Sequence, residues 1–267
     1  MWKNVLLVLV SISIITSCAT VPVTGRKQLD LVSNDEIIQQ SAVEYKHVLD
    51  SSRLSNNAEQ VAMIKRVGQR IQGAVESYMA SKNLSDQLKG FNWEFNLIQD
   101  DKTVNAWCMP GGKVAFYTGI LPICQDETGV AIVMGHEVAH AIANHGRERM
   151  SEAMLANGLL SGLSVAIGQN PTLTQQLLMQ SVGIGANLGM LKFSRTDESE
   201  ADHIGLIFMT IAGYDPHQAP IFWERMRAQG GQKPPEFLST HPADETRIKD
   251  LKKWIPEAER YQKKLNK

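Results

Sequence analysis

The stretch GHEVAH, residues 135–140, decides how the rest of the chain is read. A helix turns about 100° per residue, so His136 and His140 share one face and can offer two imidazoles to one ion. Glu137 stands at the edge of that face. The pattern HExxH combines two nitrogen ligands with a carboxylate able to take a proton from water on a metal. So short a string also arises by chance. The surrounding chain must therefore supply a third ligand, a platform for a substrate and a suitable compartment.

A catalytic zinc takes three protein ligands and keeps a fourth position open. The extended form HExxHxxGxxH would need Gly at 143 and His at 146, and the chain has Ala143 and Gly146. His145, five residues past His140, turns off the ligand face. The remaining source is a carboxylate on a later helix. In TDESEAD, 196–202, Glu198 and Asp202 are four apart and share a face. Glu198 can bind zinc through oxygen, and Asp202 can accept from the other ring nitrogen of a ligand histidine and so fix its tautomer. Glu200 lies about 200° round the helix from Glu198 and faces elsewhere. With Asp197 it is accounted for by the helix dipole alone.

Around these motifs the chain alternates in character. Ser33 and Glu36 form a capping-box pattern opening a helix to about Asp50. A second helix is expected over 57–81. FNWEFNLIQ, 91–99, alternates apolar and polar as a half-buried strand does. Two extended pieces follow in NAWCMPGGKVAFYTGIL, separated by Pro110-Gly111-Gly112. Asp126 can cap the helix carrying HExxH, with Asn144-His145-Gly146 as its stop. Apolar, small-residue segments over 157–191, split by Asn170-Pro171, read as buried bundle helices; a membrane-touching hairpin is the other reading. Further helices are expected over 196–212 and 217–229. A loop then carries STHP, 239–242, and two last helices are separated by Pro256. Helices, a small sheet, then mostly helices make an α+β domain.

The first residues, MWKNVLLVLVSISIITSC, join a positive start to an apolar run and small residues before a cut site, as a secretory signal does. The ending ITSC resembles a bacterial lipobox. Residues 1–17 are then a signal peptide, 18–32 a tether lipidated at Cys18, and 33–267 the folded domain. Lipoprotein sorting would send Ala19 at the second position toward the outer membrane. In that oxidising space Cys108 and Cys124 can bridge or stay as buried thiols, and no CxxC spacing suggests metal binding. The net charge is −1 with no basic stripe, so nucleic acid is not expected as a partner.

NAWCMPGGKVAFYTGIL, VMGHEVAHAIANHG, FSRTDESEADHIG, AGYDP and LSTHPADETRI, in that order, resemble the HtpX-like and CaaX-prenyl-protease-like zinc endopeptidases, metallopeptidase family forty-eight, and within it the soluble periplasmic lipoprotein branch. The resemblance implies a zincin-type (gluzincin) fold, mostly helical, with a small antiparallel sheet whose edge strand faces the cleft. It implies Zn2+ on His136, His140 and Glu198, Glu137 as general base, and Asp202 as hydrogen-bond partner of a ligand. His241 matches a removable fourth ligand of some relatives, or is a loop residue before Pro242. Asn105, Ala106, Trp107, Gly111 and Gly112 fall on the substrate-side strand, and Arg247 on a segment that contacts substrate or orients the site. An extended peptide can add to such an edge through main-chain bonds. Relatives carry Phe-Ala-Leu where this chain has Trp107, Cys108 and Met109, which leaves the pocket's preference open.

The expected activity is hydrolysis of misfolded or mis-assembled envelope proteins, on the periplasmic face of the outer membrane, beside the envelope-assembly machinery. The alternative is a chaperone-like assembly factor for outer-membrane proteins with a latent zinc site. An aminopeptidase is disfavoured by the lack of a GxMEN-like amine-recognition motif.

Overall fold

The computed structural model describes residues 18–161, 175–179, 193–229, 235–242 and 245–265. The expected signal peptide, 1–17, lies outside the described residues, as does most of the apolar region 157–191. A hairpin of β1 (Cys18–Thr20) and β2 (Lys27–Leu29) opens the described chain. Helices α1 (Asn34–Ser51) and α2 (Ala58–Ser81) follow, then β3 (Glu94–Ile98), β4 (Ala106–Met109) and β5 (Lys113–Tyr117). The rest is helical: α3 (Leu121–Cys124), α4 (Glu127–Ile142), α5 (His145–Ser161), α6 (Arg195–Ile211), α7 (Gln218–Ala228), α8 (Glu236–Thr240) and α9 (Glu245–Leu265). This is the α+β, mostly helical architecture expected.

The sheet is mixed, where an antiparallel one was expected. Strand order is β3-β5-β4; β5 runs antiparallel to β4 and parallel to β3. The tight Pro110-Gly111-Gly112 turn forces β4 and β5 into a hairpin. The loop 99–105 carries the chain past the end of β5, pinned where Gly119 N–H donates to the Asp100 carbonyl, so β5 inserts between its predecessors. β4 is thus an edge in strand order, although its residues are buried. Its side chains alternate: Ala106 and Cys108 join the main core with α2 and α4, while Trp107 and Met109 pack against Tyr45 and Val48 of α1.

α4 is buried along almost its whole length, from Gly129 to Ile142, as an apolar helix inside a core must be. Asp126 Oδ1 accepts from Gly129 N–H (2.9 Å) and starts it. Asn144, in the left-handed region (φ 59°), stops it, and α5 begins at the next residue. α6 opens with a true capping box: Asp197 N–H donates to Ser194 Oγ (3.1 Å) and Ser194 N–H to Asp197 Oδ2 (3.0 Å). Ser33 does precede α1, but its side chain makes no capping bond. α4 and α6 approach backbone to backbone at Gly135 and Gly205: a Cβ on Gly205 would stand 2.8 Å from Gly135 C and His136 N.

Two terminal details depart from expectation. Residues 18–32, read as a tether, are folded against the domain, with Val21 and Gln28 buried and Leu31 N–H donating to Ser151 Oγ (2.9 Å). The last two helices are one, α9, running through Pro256. Proline costs that helix a hydrogen bond. Ile248, Leu251, Ile255 and Ala258, all buried, hold both halves on the same surface and outweigh the break.

The glycine contact predicts that Gly205→Ala destabilises the fold by about 1–3 kcal/mol, the ordinary cost of overpacking. Gly73→Ala, exposed on α2 with nothing within 4 Å of the added carbon, should be neutral or stabilise by up to about 1 kcal/mol. Denaturant midpoints of the two variants check both.

Candidate active site

α4 brings His136, Glu137 and His140 to one side, and α6 brings Glu198 and Asp202 to meet them across the glycine contact. His241 enters from the end of α8, where its N–H donates to the Phe237 carbonyl (2.8 Å). STHP is therefore a helix end and not a free loop: Ser239 and Thr240 close α8, and His241 caps it.

His136, His140, Glu198 and His241 each turn one donor atom to a common point, all within 4.8 Å of one another and all buried. His136 Nε2 lies 3.1 Å from His140 Nε2 and 3.2 Å from His241 Nδ1. Glu198 Oε1 lies 2.8 Å from His241 Nδ1 and 3.4 Å from His140 Nε2, and its Oε2 lies 3.5 Å from His136 Nε2. Tetrahedral coordination with bonds of 2.0–2.1 Å would set neighbouring donors roughly 3.3 Å apart. Three imidazoles and one carboxylate at these separations fit zinc in both chemistry and spacing.

The surroundings prepare the donors. His136 Nδ1 lies 3.0 Å from Asp202 Oδ1; a proton shared there leaves Nε2 free to bind. Arg247 clamps Asp202 with two nitrogens (2.6 and 2.7 Å), reaches Glu198 Oε2 with a third (3.0 Å), and stacks on Trp223, 3.3 Å from the ring centroid. Burial drives His140 toward its neutral form, against the pull of Glu198. Burial would raise the Glu198 carboxyl, but the nearby His241 and Arg247 win and hold it well below the usual range. Glu137 is pushed up to about 7, chiefly by burial, with the Glu198 charge adding to it against His241 and Arg247. Its Oε1 is buried without a hydrogen-bond partner, 3.6 Å from His241 Nε2. Phe193 covers the cluster, its ring centroid 3.9 Å from that of His140 and 5.3 Å from that of His241.

The residues expected on the substrate side divide. Arg247 belongs to the cluster. A narrow cavity beside Glu137 and His140 is lined by Cys108 and Pro110, so the β4 hairpin does border the site. Asn105 is buried and ties the start of β4 to α8, its Nδ2 donating to Glu236 Oε1 (3.1 Å). Ala106 faces the core on the α4 side. Trp107 points to the opposite face of the sheet, in edge contact with Tyr45 (centroids 5.7 Å apart). Gly111 and Gly112, at φ 85° and 80°, serve the turn, and a Cβ on Gly112 would strike Trp93. Cys108 and Cys124 are buried free thiols. Sequence reading missed Phe193, Trp223 and the pair His145 and Glu200. His145 Nδ1 lies 2.8 Å from His140 Nδ1, and its Nε2 lies 3.2 Å from Glu200 Oε2. Only the histidine count near HExxH hinted at this.

Comparison with known proteins places the chain among peptidases. Residues 65–255 match Peptidase family M48. The chain is 35% identical over 245 residues to the mitochondrial metalloendopeptidase OMA1 of Schizosaccharomyces pombe, covering 90% of this chain and 67% of that one. The counterpart in Saccharomyces cerevisiae is 38% identical over 178 residues, 64% of this chain and 49% of its own. The β-barrel assembly-enhancing protease of Escherichia coli K12 is 30% identical over 167 residues, 60% of this chain and 34% of its own. The chain thus spans about two thirds of the first relative's length and half or less of the other two. With the match covering most of the chain and a donor cluster suited to zinc at its centre, the chain belongs to peptidase family M48 and is a zinc metallopeptidase.

Proposed function

We infer that the protein is a zinc-dependent endopeptidase in which His136, His140 and Glu198 hold the metal and Glu137 moves the proton. The observation that carries this reading is the four-donor cluster with the buried, unpartnered Glu137 oxygen beside it. Zinc bound there would supply Lewis acidity, acidifying a water and polarising the scissile carbonyl. Glu137 takes one proton from the attacking water and delivers it to the departing amine nitrogen as the C–N bond breaks. Asp202 fixes the ring of His136, and Arg247 holds Asp202 and Glu198 in register. His241 would supply a fourth donor beside them, one its ring would have to give up for a water or substrate to reach the metal. β4 and the cavity beside Glu137 are the reading's place for an extended peptide.

Its place in the cell rests on sequence features and one relative. We place the protein in a bacterial envelope, anchored by lipid at Cys18 and facing the periplasm, with misfolded or mis-assembled envelope proteins as its substrates. The lipobox-like ending and the name of the E. coli relative support this; the OMA1 relatives are mitochondrial. Among the described residues no helix is long and apolar enough to cross a membrane. The chaperone-like alternative draws on the burial of all four donors.

Glu137→Gln should keep about one zinc per chain and lose casein cleavage by at least 100-fold, the scale of a general base. His136→Ala and Glu198→Ala should lose both zinc and cleavage; metal analysis beside the assay checks this, and wild-type cleavage by Glu137→Gln would refute the assignment. Arg247→Ala leaves two buried carboxylates without their cation and should cost the metal-free protein about 3–5 kcal/mol, measured by chemical denaturation. Cys18→Ser should move the protein from the membrane to the soluble fraction of the cell envelope.

A further inference from the structure

His140 faces two ways. Its Nε2 joins the donor cluster, while its Nδ1 meets Nδ1 of His145 at 2.8 Å. A ring that binds a cation through Nε2 carries its proton on Nδ1, so His140 donates and His145 accepts. His145 must then carry its own proton on Nε2, which lies 3.2 Å from Glu200 Oε2. Glu200 is held in turn from the N-terminal hairpin: the Thr24 hydroxyl donates to its Oε1, and Arg26 Nε donates to its Oε2 (2.6 Å). The other Arg26 nitrogens fork onto Glu148 (2.8 and 2.7 Å) and reach Asp197 (3.4 Å). Each link fixes the proton on the next, and the order runs Arg26, Glu200, His145, His140.

His145, Asp197 and Glu200 also stand close enough to hold a metal of their own. The guanidinium of Arg26 lies among those carboxylates, so the group already has a side-chain cation. Its use is better sought in what it touches. Asp202 orients His136 directly; among the described residues His140 has no carboxylate on its Nδ1, and His145 with Glu200 extends one to it.

We propose that the N-terminal hairpin is a positioning element of the metal site, with Arg26 and Thr24 holding Glu200, Glu200 holding His145, and His145 setting the ring and tautomer of His140. The inference rests on the reading of His140 as a zinc ligand. Arg26, Thr24, Glu200 and His145 are positioning residues; none reaches the reacting atoms.

The test compares the full chain with Arg26→Ala, Glu200→Ala, Glu200→Gln and the double variant Arg26→Ala/Glu200→Ala. Zinc affinity is read by competition with a chromogenic chelator, and the melting of each metal-free protein is followed in parallel. Losing such an outer partner typically weakens metal binding about 10–100-fold. Glu200→Ala should fall in that range, and Arg26→Ala, one link further out, should lose roughly three- to tenfold on the same reasoning. Glu200→Gln should recover most of the affinity, because its amide oxygen still accepts from His145. The double variant should bind zinc no more weakly than Glu200→Ala, since both act through one path.

Zinc affinities within twofold of wild type, with only the metal-free melting lowered, would show a merely structural clasp and overturn the proposal. Losses that multiply in the double variant would also overturn it. Should Glu200→Ala not fold, Arg26→Ala decides alone. Wild-type protein that takes up no zinc would instead bring down the underlying reading of the cluster, an outcome distinct from wild-type zinc binding with unaffected variants.

Discussion

The backbone contact between Gly135 and Gly205 is the constraint on which the site depends. Helices with ordinary side chains at their crossing keep their axes about 8–10 Å apart. Glycine on both sides lets α4 and α6 come close enough for a carbon on either to collide with the other's main chain. Gly135 immediately precedes His136, and Gly205 follows Asp202 by three residues. The close approach therefore sits within one turn of the groups that must meet. It lets short side chains such as Asp202 span from one helix to the other without water between them.

The helix crossing also explains why so much of α4 is apolar. A helix that supplies two histidines and a glutamate to a buried cluster pays for no solvent-facing side, because the sheet, α2 and α6 surround it. Its ends are fixed by local devices, Asp126 before it and the left-handed Asn144 after it. The same Asn144 turn starts α5 at once and swings His145 behind His140. Neighbouring helices, more than loops, therefore hold the polar groups of the cluster.

What the sequence disclosed was what depends on local periodicity. His136 with His140, and Glu198 with Asp202, are each four apart on one helix, so their shared faces follow from helical geometry alone. The helix over 58–81 and the strand over 94–98 were legible for the same reason. Partners distant in the chain were not. Nothing in the spacing of Arg26 announces that it will meet Glu200, and the order β3-β5-β4 depends on a loop's path that no alternation records. Trp107 lies within the strand expected to face the cleft, yet a single step in register assigns it to the opposite side. Pro256 reads as a helix end because local rules count its lost hydrogen bond and not the buried surface on either side of it.

Arg247 has an electrical consequence beyond its hydrogen bonds. Ionised Glu137, Glu198 and Asp202 bring three negative charges into one buried region, and Arg247 returns one positive charge. With those carboxylates ionised and the histidines neutral, as a bound dication would hold them, the protein groups sum to a formal charge of about −2, and the dication brings that sum to zero. A peptide amide is also uncharged. It can enter the loaded site without dragging a counter-ion out of water, in surroundings where an unbalanced charge would be severely penalised.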